Sequence, residues 1–318
     1  MRRILICVLL TILSSARFLS AQDSTSELAN LSNLSHSGRL PELIQAANSL
    51  LATDKLMPSD QGMVLIYLGY AYQQRGEFTK ATASYEKALT VVNSDGQHPS
   101  DYAATLATLA TVYAQIGQID TAKHVLLRSI KMFENESDHA GAAMVWNDLA
   151  TIAADMHSRG DAHKDMTRSV AESQLATNMS PGELAALATT EGRIAELDGD
   201  PHTAISDYEH ALDLWTQTHK DQQPKTAWLY VLLGGAYLEA GDIANARDTT
   251  SRGLAMLDAS SGRQTPRYFA AEIVYSKVLD ASGAHDEASR LRKEAQASMN
   301  TGTDQQRAKS EISVNALR

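Results

Sequence analysis

Among the side chains able to do chemistry in this 318-residue chain are ten histidines. Two of these sit among acids: His157 and His163 flank Gly160, with Asp155 and Asp161 beside them. Imidazole and carboxylate together form the ligand set of a zinc or related divalent-metal site. Such a site needs its ligands on one face, as in His-Glu-x2-His on a helix, and that motif is absent. The spacing from 157 to 163 crosses an expected turn between helices. The four therefore read as solvated turn residues, with a metal-dependent enzyme or metal-binding protein as the competing reading. His202 and His210 could share a helical face but lack a third partner. Nucleophilic chemistry has less support: the single cysteine is Cys7, there is no Gly-x-Ser-x-Gly, and the serines lie at expected caps and linkers. Gly234-Gly235 falls inside a helical pattern, where close helix contact explains it better than phosphate binding. These residues predict neither catalysis nor a cofactor.

The charge balance narrows the partner class. Lys and Arg number 28 against 38 Asp and Glu, a net charge of −10. The basic residues are scattered, so a nucleic-acid backbone would be repelled and is not an expected partner. Hydrophobic residues make up 43% and charged residues 21%, which requires a folded protein. Ala and Leu are abundant and aromatics are 6%, a composition that favours helix.

The N-terminus reads as a secretory signal peptide: Met1-Arg2-Arg3, an apolar run from Ile4 to Leu13, then small and polar residues to Ala21. That apolar run is about half the roughly 20 residues a membrane-spanning helix needs. Cleavage after Ala21 would leave a mature chain without cysteine and with a net charge of −13. An extracytoplasmic location, periplasmic or secreted, is expected, with membrane contact only if the segment is uncleaved.

Past that segment the chain repeats. Leu65, Leu68, Gly69, Tyr72, Gly76, Ala81, Tyr85 and Ala88 recur as Leu106, Leu109, Ala110, Tyr113, Gly117, Ala122, Leu126 and Ser129. They recur again as Tyr230, Leu233, Gly234, Tyr237, Gly241, Ala246, Thr250 and Gly253. Glycines at 76, 117, 160, 199, 241 and 283 mark six copies, at intervals of 41, 43, 39, 42 and 42. Apolar residues three and four apart share a helical face, so each copy predicts two amphipathic helices. The glycine ends the first of them in the left-handed conformation. Asp161, Asp200 and Asp242 are expected to open second helices, and all seven prolines fall at helix starts or linkers. Gly69, Ala110, Ala153, Gly192, Gly234 and Ser276 supply one small residue per copy for close helix contact. The central copy, anchored on Gly160, is the weakest, because Asp165 and Ser169 stand where Ala and an aromatic are expected.

The order Leu-x2-Leu-Gly-x2-Tyr, followed by Ala81, Tyr85 and Ala88, resembles the tetratricopeptide repeat. The period is about seven residues longer than the common 34. Together with His98-Pro99-Ser100-Asp101-Tyr102-Ala103 leading into a copy, it is similar to the kinesin-light-chain-like variant. The resemblance implies an all-α fold, an α-solenoid of six to seven stacked helix-turn-helix repeats in a right-handed superhelix. Its expected organisation is a signal peptide at 1–21, an N-terminal capping helix pair at 22–61, the solenoid at 62–298 and a flexible tail at 299–318.

The resemblance also implies a concave groove lined by first-helix residues. Carried over by offset, these are Tyr67, Tyr70, Gln73, Gln74, Thr108, Thr111, Gln115, Asn147, Arg193 and Trp228, with Met63, Ile66, Thr151, His157, Val231 and Lys277. Tyr67, Tyr70 and Trp228 are rigid groups of the kind that anchor peptides, or else they pack against the next repeat. The Lys/Arg/Asn clamp of chaperone-tail binders is not reproduced. The expected function is an exported scaffold that binds a protein or peptide, as an extended or helical segment that is mostly uncharged or mildly basic. A solenoid whose repeats touch only their neighbours offers a long surface and no deep pocket.

Overall fold

A computed structural model of the protein describes residues 25–53, 56–92, 99–218 and 224–301. The segment read as a signal peptide lies outside the described residues, as does the tail from 302 onward. Among the described residues there are fourteen helices and no strand. They are α1 (25–36), α2 (Leu40–Leu51), α3 (Pro58–Gln74), α4 (Phe78–Val92), α5 (Pro99–Gln115), α6 (Ile119–Asn135) and α7 (His139–Asp155). There follow α8 (Arg159–Leu175), α9 (Pro181–Asp198), α10 (Pro201–Thr218), α11 (Pro224–Glu239), α12 (Ile243–Ser261), α13 (Pro266–Ala281) and α14 (His285–Thr301). Consecutive helices pack in pairs, each pair packs on the next, and first helices also touch along one face, α5 on α7, α7 on α9 and α11 on α13. The result is an all-α solenoid of seven two-helix units.

Local chemistry sets the boundaries. Six helices open on proline, where its missing N–H costs nothing and its fixed φ suits the first turn. The Ser180 hydroxyl accepts from the Glu183 amide, and the Ser180 amide donates to the Glu183 carboxylate at 2.7 Å, a capping box at the head of α9. Ser180→Ala is expected to lower stability by about 1 kcal/mol in urea unfolding, with Ser180→Gly costing only a few tenths. Asp200 and Asp242 accept from the amides three residues on, at α10 and α12.

The central unit departs from the sequence reading. Gly160 is the second residue of α8, and the left-handed turn residue is His157, at φ 54°. With His157 as the marker the turns fall at 76, 117, 157, 199, 241 and 283, a more even ruler than the glycines alone. The aligned core residues then become Trp146, Leu149, Ala150, Ala162, Met166 and Ser169, each no more than 6% exposed. The unit is therefore regular, and the small residue of its first helix is Ala150 instead of Ala153. Asp161 does not open α8; the N-cap is Ser158, whose hydroxyl donates to Asp161 at 2.9 Å. At the other end α14 runs to Thr301, into the expected tail, because Met299 faces the interior of the solenoid.

From the second unit on, each unit is held together by a small residue against a larger one sixteen positions later. A Cβ on Gly69 would come within 2.8 Å of the Tyr85 ring, and one on Gly192 within 2.6 Å of Tyr208. Tyr85 and Tyr208 are fully buried, so the glycines are what let these rings lie flat between paired helices. Ala110 with Leu126 and Ala150 with Met166 repeat the pairing, and in the last unit Arg292 Nε donates to Ser276 Oγ at 3.3 Å.

The solenoid also touches itself over long range. A Cβ on Gly38, after α1, would meet Pro224 of α11 at 2.8 Å and Ser260 of α12 at 3.1 Å. One on Gly76, after α3, would meet Pro266 of α13 at 2.8 Å. Units five apart are thus in contact, so the superhelix completes a turn in about five units and lays the next turn against the first. The corresponding turn glycines 117, 199, 241 and 283 meet nothing within 4 Å.

Candidate functional site

The concave faces of α3, α5, α7, α9, α11 and α13 surround an axial cavity of about 660 Å³. Phe78, Ile119 and Met299 complete its wall from second helices. This corrects the expectation of a surface without a deep pocket: contact between successive turns partly closes what would otherwise be an open groove.

Polar side chains link adjacent first helices around the wall. Gln73 Nε2 donates to Thr111 Oγ1 and to Gln115 Oε1, both at 3.0 Å, while the buried Tyr85 hydroxyl donates to Gln73 Oε1 at 3.1 Å. Thr151 and Thr190 share a hydrogen bond of 3.0 Å, and Arg193 forms an ion pair with Asp155. Each link spans the period of the repeat, so the same residue positions recur as partners. Gln115 is exposed to the cavity and Thr111 is half-buried, which leaves amide and hydroxyl groups available to a bound chain.

The ionisable groups of the wall respond to their enclosure. Burial pushes the Asp148 carboxyl up to about 7, with Lys225 opposing. Glu196 is also pushed up to about 7, first by burial and then by repulsion from Glu239, against the pull of Arg193 and Lys277. Lys277 is lowered, and Glu239 raised, chiefly by burial. Arg267, also on the wall, is lowered by desolvation, and Lys225, which does not line the cavity, is lowered by desolvation and then by Arg267.

Of the side chains expected in the groove, Gln73, Gln74, Thr111, Gln115, Arg193 and Trp228 line the cavity, as do Thr151, His157, Val231 and Lys277. Tyr67 packs against the N-terminal core, and Ile66 against the cluster of Tyr85 and Leu109. Thr108 spends its hydroxyl on the Ala104 carbonyl at 2.9 Å, and Met63 is 42% exposed. Asn147 is 5% exposed, and its Oδ1 has no hydrogen-bond partner among the described residues. Tyr70 lies where the turns meet, near Ser35 and Arg267, and burial raises its hydroxyl pKa. Sequence reasoning missed Asp148, Asp155, Glu196 and Glu239. Moving the central unit's register by three residues places the first two at groove positions, and the last two follow from the offsets already in use. Arg267 and Lys225 lie before the repeat pattern begins, where no offset reaches them.

The four side chains of the competing metal reading do not converge. Asp155 pairs with Arg193, His163 Nε2 lies 2.8 Å from Asp198, and Asp161 accepts from Ser158. Among the described residues no group of three His, Cys, Asp or Glu side chains is placed to hold a metal ion, and no helix is long and apolar enough to cross a membrane.

Residues 60–135 and 183–259 match the tetratricopeptide repeat family model. Those two stretches are tetratricopeptide repeats. The matched stretches correspond to α3–α6 and to most of α9–α12, and between them lies the unit with histidine in its turn. No curated protein sequence matches the chain. Among solved structures, the chain is similar to NprR in complex with its cognate peptide NprX, at 14% identity over 89% of this chain and 83% of that one, TM-score 0.63. It is similar to a Rap protein complexed with Competence and Sporulation Factor, at 14% identity over 86% and 77%, TM-score 0.58. A putative kinesin light chain of Podosopora anserina with TPR-like repeats matches at 20% identity over 65% and 100%, TM-score 0.46. The first two likenesses establish a shared fold.

Proposed function

We propose that the protein is an exported scaffold that binds a peptide segment of a partner along its axial cavity and has no catalytic role. The observation that carries this is the cavity itself. At about 660 Å³ it falls within the size range of ligand sites, and its amide and hydroxyl groups are placed to satisfy a peptide backbone while Trp228, Leu232 and Val274 cover apolar side chains. The similar folds NprR and Rap were solved with peptides bound, which supports the same use of the fold here. The basic, apolar and small-residue order of residues 1–21 supports export to a periplasm or to the exterior. N-terminal sequencing of the exported protein should then begin near Gln22.

Gly235 offers a test that separates binding from folding. It lines the cavity on α11, and a Cβ there would meet only Val274 Cγ1, at 4.0 Å. Gly235→Leu should therefore fill the cavity while keeping the helix, which glycine disfavours by about 1 kcal/mol relative to alanine. Against a nonapeptide library, the native protein should select ligands that the variant binds at least about tenfold more weakly, with circular dichroism unchanged. Equal binding by a folded variant would place the ligand elsewhere.

A further inference from the structure

The last described helix departs from the others on its outer face. Counted from the turn residue, Ile130 and Phe133 of α6 correspond to Leu212 and Trp215 of α10, and each pair clusters with the first helix of the following unit. The same two positions of α14 hold Gln296, which is exposed, and Met299, which lines the axial cavity. Ser289 and Lys293 are exposed along the same face as Gln296, so α14 offers no apolar seat to a further helix.

The chain therefore leaves α14 at the cavity. A three-residue turn joins α13 to α14 and the two pack together, which brings the end of α14 beside the start of α13. Met299, Pro266 and Ala270 accordingly share the cavity wall. Residues 302–318, which lie outside the described residues, begin three positions after Met299. Their composition suits the wall. In a chain with an excess of acid, this segment carries Arg307, Lys309 and Arg318 against Asp304 and Glu311, while Asp148, Asp155, Glu196 and Glu239 line the cavity. Glu311-Ile312-Ser313-Val314-Asn315 alternates polar and apolar residues, an order that puts Ile312 and Val314 on one side of an extended chain. The stretch from Thr301 to Ile312 spans up to about 36 Å when extended. A 17-residue first helix such as α7 is about 25 Å long. Ile312 thus has the reach to meet any part of the wall.

We propose that residues 302–318 of this chain are the resident occupant of the axial cavity, entering past Met299 and seating Ile312 and Val314 against Trp228, Leu232 and Val274. The proposal rests on the reading of the cavity as a peptide site: the same amide, hydroxyl and apolar groups hold either chain, and a partner's peptide binds by displacing the segment already there. It accords with the expectation of an occupant that is mostly uncharged or mildly basic.

The test uses the full chain and its double variant Ile312→Asp, Val314→Asp, whose changes lie outside the described helices and should leave circular dichroism unaltered. Fluorescence from Trp228 reports on the cavity, since Trp146 and Trp215 are buried and Trp228→Phe isolates its contribution. The double variant should shift that emission to longer wavelength as water replaces the segment, and a synthetic peptide of residues 302–318 should reverse the shift. Nonapeptides selected from a library should bind the double variant about tenfold or more tightly than they bind the native chain, because a tethered occupant competes at an effective concentration on the order of millimolar. Identical emission and identical peptide affinities in the two proteins would overturn the occupant and leave peptide binding intact. A shift in emission with no peptide selected by either protein would support the occupant and overturn binding of a partner's peptide. A double variant that sediments at half the native mass would overturn seating within one chain and assign the segment to the cavity of a second copy.

Discussion

Gly234→Ala is expected to destabilise the protein by about 2 kcal/mol or more, while Gly235→Ala, one residue on, is expected to stabilise it by up to about 1 kcal/mol. Both residues are helical and both relieve the entropic cost of glycine when replaced. They differ in what a methyl group would meet. At Gly234 the Cβ would overlap Thr250 Oγ1 and come within 3.0 Å of the Thr250 backbone nitrogen, and backbone of a packed helix cannot move aside as a flexible side chain can. At Gly235 the nearest atom is 4.0 Å away. Urea denaturation midpoints of the two variants, at unchanged slope, give the comparison directly. Similar midpoints would mean that α11 and α12 are not packed on glycine.

Glu196→Gln is expected to raise stability by about 2 kcal/mol at pH 8 and to leave it unchanged at pH 4. Below the ordinary Glu value of 4.5 the carboxyl is protonated in both the folded and the unfolded chain, and the shift contributes nothing. Between 4.5 and about 7 the unfolded chain releases its proton while the folded chain keeps it, so stability falls as pH rises. Above about 7 the penalty is complete, discounted here for the partial exposure of the side chain to the cavity. Asp148, pushed up to about 7, adds a loss of the same sign over the range above 3.8. Chemical denaturation of both proteins at pH 4, 6 and 8 measures the difference. Parallel pH profiles would show that Glu196 ionises as freely in the folded protein as in the unfolded one.

The repeat was legible in the sequence because its markers are physically obligatory. Proline cannot sit inside a helix, and Gly76, Gly117, Gly199, Gly241 and Gly283 all take a left-handed conformation that other residues resist. The same logic misled at Gly160, where a glycine stood close to the expected interval while His157 took the turn. Ala162, Met166 and Ser169 carried the correct register at the spacing of Ala81, Tyr85 and Ala88, a signal that looks for small and large core residues instead of glycine. The candidate site was legible only where it follows the repeat. Gln73, Thr111 and Arg193 come from offsets, but enclosure of the cavity comes from the small rotation between successive units, to which no single residue corresponds. Gly38 meeting Pro224 and Tyr70 meeting Arg267 bring together parts of the chain nearly 200 positions apart, and nothing local in either segment announces the other.

That separation gives the molecule an order of assembly. Units that depend only on their neighbours can stack as they leave the ribosome, and the first five need nothing that follows them. The seal between successive turns has to wait until Pro224 and Pro266 have been made, since these are the residues that close over Gly38 and Gly76. Until then the nascent chain is an open trough, and a segment lying in it would be enclosed by the arrival of the last two units.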